Sequence, residues 1–532
     1  MPLHSGKIWL NAQKYFFLQE NINLITNNMK TNFVKLRWLF TMLLFVTTMI
    51  MPTMMLAKSI DLKIPEGDGA GTPYKIGTAE ELYWFAGLVN GTLPGVKKDL
   101  SANAILTDDI IVNTGVLDPN KDLVSGNDFI EWIPIGKSSS DDDAYTGTFD
   151  GNGHTISGLY FNKSNSWYVG LFGCIGAEGK ISNVGVSDSY FQSSNCPYIG
   201  GVCGSNSGEL QNCSNSSTVI GKENEYRIGG VCGYNSGTVK DCKNTGSVRG
   251  KETIGGVCGY NERRYNEKGG IIENSFNEGT VSGTGDYDVL NIGGVCGYNY
   301  GGTIKSCYNT ASVSVTGKKV GGVCGDNSDG TSTITNCFNE GTVRGKETIG
   351  GVCGNNSGTI KNCYNTASVS GQYSVGGVCG DNYEGPITNC YYLSGTVADG
   401  KGGIGGKDDE NGKAVEMSKD RFKSGEVAWL LNGSKSVSTE ESTLAWYQKL
   451  GENADAYPVL KSTDHNTVYK APLFSCDGTT RIGEYANKPE GDKLSHNYQM
   501  AEKADEGTSN LYSEECAICH NVKDGTKYIK DF

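Results

Sequence analysis

The stretch Ile228–Gly250 reads IGGVCGYNSGTVKDCKNTGSVRG. It holds three short β-branched runs separated by Gly, Asn and Ser. Runs this short are not helices, and the residues between them are turn formers. The opening block recurs, beginning at Ile199, Ile228, Ile254, Ile292, Val320, Ile349 and Val375, in steps of 29, 26, 38, 28, 29 and 26 residues. A degenerate copy, VGLFGCIG, occupies 169–176, and the long step carries an insertion, ERRYNEKGG, at 262–270. A unit of this length cannot bury its apolar face alone, so it must stack on its neighbours. The repeat therefore predicts an all-β chain: a parallel β-helix, or solenoid, of about eight coils. Strands pair with the coil below at about 4.8 Å, and the insertion becomes a surface loop.

Three positions in the unit carry further expectations. An asparagine lies three residues after the first cysteine in every unit: Asn206, Asn235, Asn261, Asn299, Asn327, Asn356 and Asn382. Asn tolerates left-handed backbone, and its amide can bond the same residue one coil away, so these predict a structural ladder at a bend. The cysteines form two sets, Cys203, Cys232, Cys258, Cys296, Cys324, Cys353 and Cys379, then Cys213, Cys242, Cys307, Cys337, Cys363 and Cys390, with Ser275 in the gap. Side chains in a stacked ladder run parallel, which opposes the S–S dihedral near 90°; buried reduced thiols are expected. Val and Cys are adjacent in GGVCG and cannot both point inward from one flat strand. Either a bend separates them or one faces a second layer.

The third position follows the second cysteine and is aromatic in the last five units: Phe276, Tyr308, Phe338, Tyr364 and Tyr391. If the cysteine points in, alternation turns the ring out. An exposed row of rings would suit sugars or a flat protein surface; the plainer reading is a stack that stiffens a bend.

The whole chain has 532 residues, 75 of them Gly but only 12 Pro, without the every-third-residue Gly of collagen. A net charge of −13 argues against nucleic acid as a partner, because a phosphate backbone needs a basic footprint. Lys30, Lys35 and Arg37 precede an apolar run from Trp38 to Met51, then Pro52 and Ala57. This is the layout of a secretory signal peptide. The leader is 1–57, with 29–57 the signal and 1–28 an over-extended start; the membrane is met only if that leader stays uncleaved. A secreted or cell-surface location follows.

Downstream, 58–127 reads as an N-terminal cap region with a helix over 78–91, opened by Thr78 and Glu81 and stopped by Asn90-Gly91. Residues 128–198 form the first coils and 199–402 the regular repeats. Residues 403–470 form a C-terminal cap, with a helix over 424–433 that takes Ser424 as N-cap. Residues 471–532 form a polar tail with cysteines. No motif demands a cofactor. In the tail Cys516-Ala-Ile-Cys519-His520 has c-type haem spacing, but twelve residues after His520 are too few for a haem pocket. Cys476, His496, Cys516 and Cys519 supply the four donors that zinc takes, as a small ribbon; the alternative is unliganded cysteines.

GTPYKIGTAEELYWFAGLVN, TFDGNGHTISGLYF, the GGVCGYNSGTVKDCKNTGSV units and the SGEVAWLLNG…WYQKLG…YPVL closure resemble bacterial GLUG-motif proteins over roughly residues 70–470. The resemblance implies a β-helix and a surface, adhesin-like role without assigned activity. Some members pair such repeats with a zinc peptidase domain that needs His-Glu-x-x-His; none of His4, His154, His465, His496 or His520 precedes a Glu. Glu278, Glu340, Asp326 and Asp381 do not recur on adjacent coils with a basic partner, and His154 sits alone in a turn. A non-enzymatic binding or spacer module for a glycan or a host or extracellular protein is expected. A carbohydrate-active β-helix lyase or hydrolase, with carboxylates about 5–10 Å apart, is the alternative.

Overall fold

The computed structural model describes residues 60–532 apart from 127, 139–141, 196, 223–226, 264–268, 284–289, 399–400, 406–412, 435–443, 461–464, 497, 504–510, 517–527 and 530–532. The proposed leader therefore lies outside the described residues. Among those described, no helix is long and apolar enough to cross a membrane.

Each repeat is one coil of a parallel solenoid. In the coil that opens at Ile228 the strands are Ile228–Gly229, Cys232–Asn235, Thr238–Lys240, Lys243–Asn244 and Val248–Gly250. Like residues lie over like: Cys232 pairs Cys258, Asn235 pairs Asn261 and Val248 pairs Val281. Two walls have eight strands, matching the expected coil number, while a third has eleven. The extra rungs come from Tyr74–Ile76, Ala104–Leu106 and Thr148–Asp150, so the stack reaches into the region expected to be cap alone. A fourth wall is made of two short columns. Gly185–Ser194 and Ser214–Gly221 each run through both of them.

The Val-Cys question is answered by a bend. The strand ends at Gly229 and the next begins at Cys232, with Gly230 and Val231 turning the corner. Both Val231 and Cys232 are then fully buried, with Ile228, Val239, Cys242 and Val248. Each such side chain contributes about 1.5–3 kcal/mol of gross burial for a Val- or Ile-sized group. The corner leaves no space for a side chain: a Cβ on Gly229 would lie 1.9 Å from the carbonyl oxygen of Cys232, and one on Gly230 would lie 2.2 Å from that of Gly256.

The asparagine ladder is present. Each Nδ2 donates to the Oδ1 one coil on, from Asn206 through Asn235, Asn261, Asn299, Asn327 and Asn356 to Asn382, at 2.7–2.8 Å. Its residues do not have positive φ. One left-handed position lies instead just before the second-cysteine position, at Asn212, Asp241, Asn274, Ser306, Asn336, Asn362 and Asn389, with φ of 49–55°, and another just before the Ile or Val that opens later units, at Thr253, Asn291, Lys319, Thr348 and Ser374. A second ladder, not anticipated, runs through Asn215, Asn244, Asn277, Asn309, Asn339 and Asn365 at 2.7–2.8 Å.

Sulfurs in the coils turn along their own chain. Cys232 Sγ donates to the Tyr234 carbonyl at 3.0 Å and Cys353 Sγ to that of Asn355 at 3.0 Å. Burial pushes the thiols of Cys203, Cys242, Cys258, Cys307, Cys324, Cys353 and Cys363 well above the ordinary range. Thiol titration is expected to find the repeat cysteines unreactive in the native chain and mostly reduced after denaturation without reductant; near-complete pairing would refute this. The sign of the pH effect follows. A thiol kept neutral when folded but ionising near pH 8.5 when unfolded stabilises the fold below about pH 8.5. That stabilisation is lost as pH rises further, so the urea midpoint should fall between about pH 7.5 and pH 9.5.

The N-terminal helix spans Ala79–Asn90, with Thr78 as N-cap and Gly91 left-handed at its end. Thr78 Oγ1 accepts from Glu81 N–H at 3.3 Å, and Glu81 Oε2 accepts from Gly77 N–H at 2.9 Å. Leu82, Phe85 and Val89 are fully buried in the same core as the coils. At the other end the expected single helix is two. Lys419–Lys423 is capped by Ser418, and Glu426–Leu431 follows Gly425; Ser424 ends the first helix rather than opening the second. The tail is folded too. Leu473–Phe474, Arg481–Gly483 and Asp492–Lys493 form one small sheet, and Tyr498–Lys503, Leu511–Cys516 and Tyr528–Ile529 another.

Candidate functional site

The predicted aromatic row exists as a stack. Ring centroids are 4.6 Å apart for Phe276 and Tyr308, 4.8 Å for Tyr308 and Phe338, and 5.1 Å for Phe338 and Tyr364, all within 9° of parallel. Its use as an open binding face is corrected. Phe338, Tyr364 and Tyr391 are buried, with Met417, Phe422, Val427, Leu431 and Trp446 packed over them. Trp446 lies 5.3 Å from the Tyr364 ring, and Tyr364 Oη donates to the Pro458 carbonyl at 2.7 Å. The rings do point out of the coils, as alternation requires. The C-terminal cap folds back along that flank instead of only plugging the end, so outward from the coil is inward to the cap. Only Phe276 and Tyr308 stay half-exposed.

A different row is partly exposed, with Tyr260, Tyr298 and Asp381 reaching solvent. The residue between Gly and Asn in GGVCG-x-N pairs in register as Ser205, Tyr234, Tyr260, Tyr298, Asp326, Asn355 and Asp381. Cys232 and Asn235 in this strand are fully buried, whereas Tyr260 and Tyr298 at x are half-exposed. The Tyr234 and Tyr260 rings stack at 5.8 Å, and Tyr260 and Tyr298 lie 5.0 Å apart. Tyr168 and Tyr198, from the neighbouring wall, stack at 5.1 Å. Arg227 joins the two groups. Its guanidinium carbon is 4.4 Å from the Tyr260 ring centre, 5.1 Å from Tyr198 and 5.3 Å from Tyr234, and its Nη1 donates to Tyr198 Oη at 2.8 Å. Tyr234 Oη also hydrogen-bonds Glu262. Partial burial, then the Glu262 charge, push the Tyr260 phenol above its ordinary value. Tyr260, Tyr298, Tyr198 and Arg227 are half-exposed, Tyr234 is buried behind them, and Trp167 and Tyr300 at the margin are open. The signal was legible: tyrosine at x in three consecutive units.

Two of the coil acids, Asp326 and Glu278, have basic partners. Asp326 accepts from Lys319 Nζ at 2.7 Å and from Asn355 Nδ2 at 2.8 Å, and Glu278 pairs with Lys243 at 3.0 Å. Away from the coils, a cavity of about 220 Å³ is lined by Lys449, Glu452, Asn487, Asp492 and Lys493, among others. In the tail the structure brings together Cys476, His496 and Cys516, with their donor atoms all within 4.8 Å of one another. Cys519, the fourth expected ligand, lies outside the described residues.

These features define a class: a parallel β-solenoid with inner asparagine and cysteine ladders and an aromatic outer wall. The GLUG motif matches residues 224–249 and 288–316, so the chain carries GLUG-type repeats there. Halomucin of Haloquadratum walsbyi is 38% identical over 84 residues, 16% of this chain and 1% of that protein. A "Putative Gly-rich membrane protein" of Evansella cellulosilytica is 33% identical over 78 residues, 14% of this chain and 9% of that one. The chain thus matches only a small fraction of either relative's length. A solved structure titled "putative immunoglobulin A1 protease from Bacteroides ovatus" aligns at a TM-score of 0.39 and 20% identity, covering 75% of this chain and 95% of that one.

Proposed function

We propose that this is a secreted or surface-exposed bacterial repeat protein working as an adhesin-like binding and spacer module. Its contact is the Tyr198–Arg227–Tyr234–Tyr260–Tyr298 face, and its partner is a glycan or an extracellular protein. The observation that carries this reading is the Arg227 guanidinium held among three tyrosine rings on a wall fixed by ladders beneath it. Rings so held lose little entropy on binding and offer flat apolar faces with hydroxyl edges, which suits sugar rings or a protein hot spot. The basic–apolar leader and the membrane placement in the name of the Evansella relative support a surface location.

A glycan and extracellular-matrix array probed with the full chain tests the reading. Tyr260→Ala with Arg227→Ala is expected to weaken the array signal about tenfold or more, as loss of a hot spot does. Tyr364→Ala, beneath the cap, should instead lower Tm and leave the signal unchanged. An unaltered signal in the double variant would remove the face from the proposal. The second reading, a carbohydrate-active enzyme, draws on the cavity in which Glu452 and Asp492 share a lining with Lys449 and Lys493. Reducing-end release from host or plant glycans, abolished by Glu452→Gln, would establish it in place of the first.

A further inference from the structure

We infer that Cys476, His496 and Cys516 bind a zinc ion that ties the C-terminal segment together, a site independent of the tyrosine face. Three separate elements converge there. Cys476 follows the strand Leu473–Phe474; His496 stands two residues before Tyr498; and Tyr498 pairs with Cys516 in an antiparallel register. That register brings the histidine beside the second cysteine although twenty residues separate them in sequence.

The geometry fits a metal better than a disulfide. The two sulfurs are 3.6 Å apart, and all three donor atoms lie within 4.8 Å of one another. A bonded pair would be near 2.05 Å. Two thiolates at about 2.3 Å from a tetrahedral zinc stand about 3.8 Å from each other, the edge of the tetrahedron. Both cysteines are buried and the histidine is half-buried, so the site is shielded on the sulfur side. Two soft thiolates and an imidazole select zinc over magnesium or calcium, which take oxygen donors. Cys519 lies outside the described residues. Binding releases the protons of the ligating thiols, so affinity falls as pH falls.

Metal analysis of the full chain, purified without chelator, is expected to find about one zinc per chain. Exchange for cobalt should give the thiolate-to-cobalt charge-transfer band. Cys476→Ser and Cys516→Ser should each lose most of the zinc and the band, while the thermal transition of the coils stays in place. Chelation of the wild-type chain should speed hydrogen exchange within 471–529 and leave 199–390 unchanged. A peptide map showing a stoichiometric Cys476–Cys516 disulfide would overturn the inference. So would intact thiols with no zinc and no cobalt band.

Discussion

Gly256→Ala is expected to break the solenoid at its middle. A Cβ there would sit 2.1 Å from the Gly294 carbonyl oxygen on the next coil and 2.3 Å from Asn277 Cγ. Neither neighbour can yield cheaply. The carbonyl belongs to a backbone held by pairing on either side, and the amide belongs to the buried ladder. Relief needs the two coils to part, which also opens the Cys258–Cys296 and Asn261–Asn299 pairs. A loss of about 4 kcal/mol or more is expected, at the exceptional end for one substitution. In a stack of nearest-neighbour contacts the damage should stay local. Hydrogen exchange should therefore show coils on either side of residue 256 opening while distant ones remain protected. Gly330→Ala is the control, since a Cβ there meets nothing within 4 Å. Equal stability of the two variants would mean that the corner is more open than the structure places it.

Asn277→Ala tests the second ladder. Asn277 Nδ2 donates to Asn309 Oδ1 and to the Gly279 carbonyl, both at 2.7 Å, and its Oδ1 accepts from Asn244 Nδ2 at 2.7 Å and Gly279 N–H at 3.2 Å. All of this is buried, and alanine leaves polar groups on three residues short of a partner. At about 1–3 kcal/mol for each buried group left unsatisfied, partly offset where Asn244 keeps its bond to Gly246, the net cost is about 3 kcal/mol. Asn277→Asp should also destabilise, because it replaces the donor with a buried charge. Exchange-protected Gly279 and Asn309 amides in the alanine variant would refute the ladder as a stabilising element.

The repeat itself carried the fold. Ile228, Val239 and Val248 can be buried together only if turns separate them, and identical spacing in the next unit makes like residues stack. Strand direction, register, the first ladder and the inward cysteines follow from that periodicity and the geometry of pairing. So does the helix over Ala79–Asn90, whose start and stop are local chemistry at Thr78 and Gly91. The second ladder was equally local, in the asparagine two residues after the second-cysteine position of the first six units.

What the repeat could not fix was where non-repeating segments come to rest. Phe338, Tyr364 and Tyr391 point out of their coils by alternation, yet whether outward means solvent depends on Trp446 and Phe422, far along the chain. The tyrosine face was half legible. Tyr234, Tyr260 and Tyr298 share a repeat position, but Arg227 reaches them from another wall and Tyr198 from the coil before. In the tail, Cys476, His496 and Cys516 have no periodicity to align them. Their meeting depends on an antiparallel register that sequence spacing does not encode. Local pattern determined what repeats, because each coil sees the same neighbours; tertiary packing decided the sites, because each also needs residues that the repeat does not relate, Arg227 at the tyrosine face and all three donors in the tail.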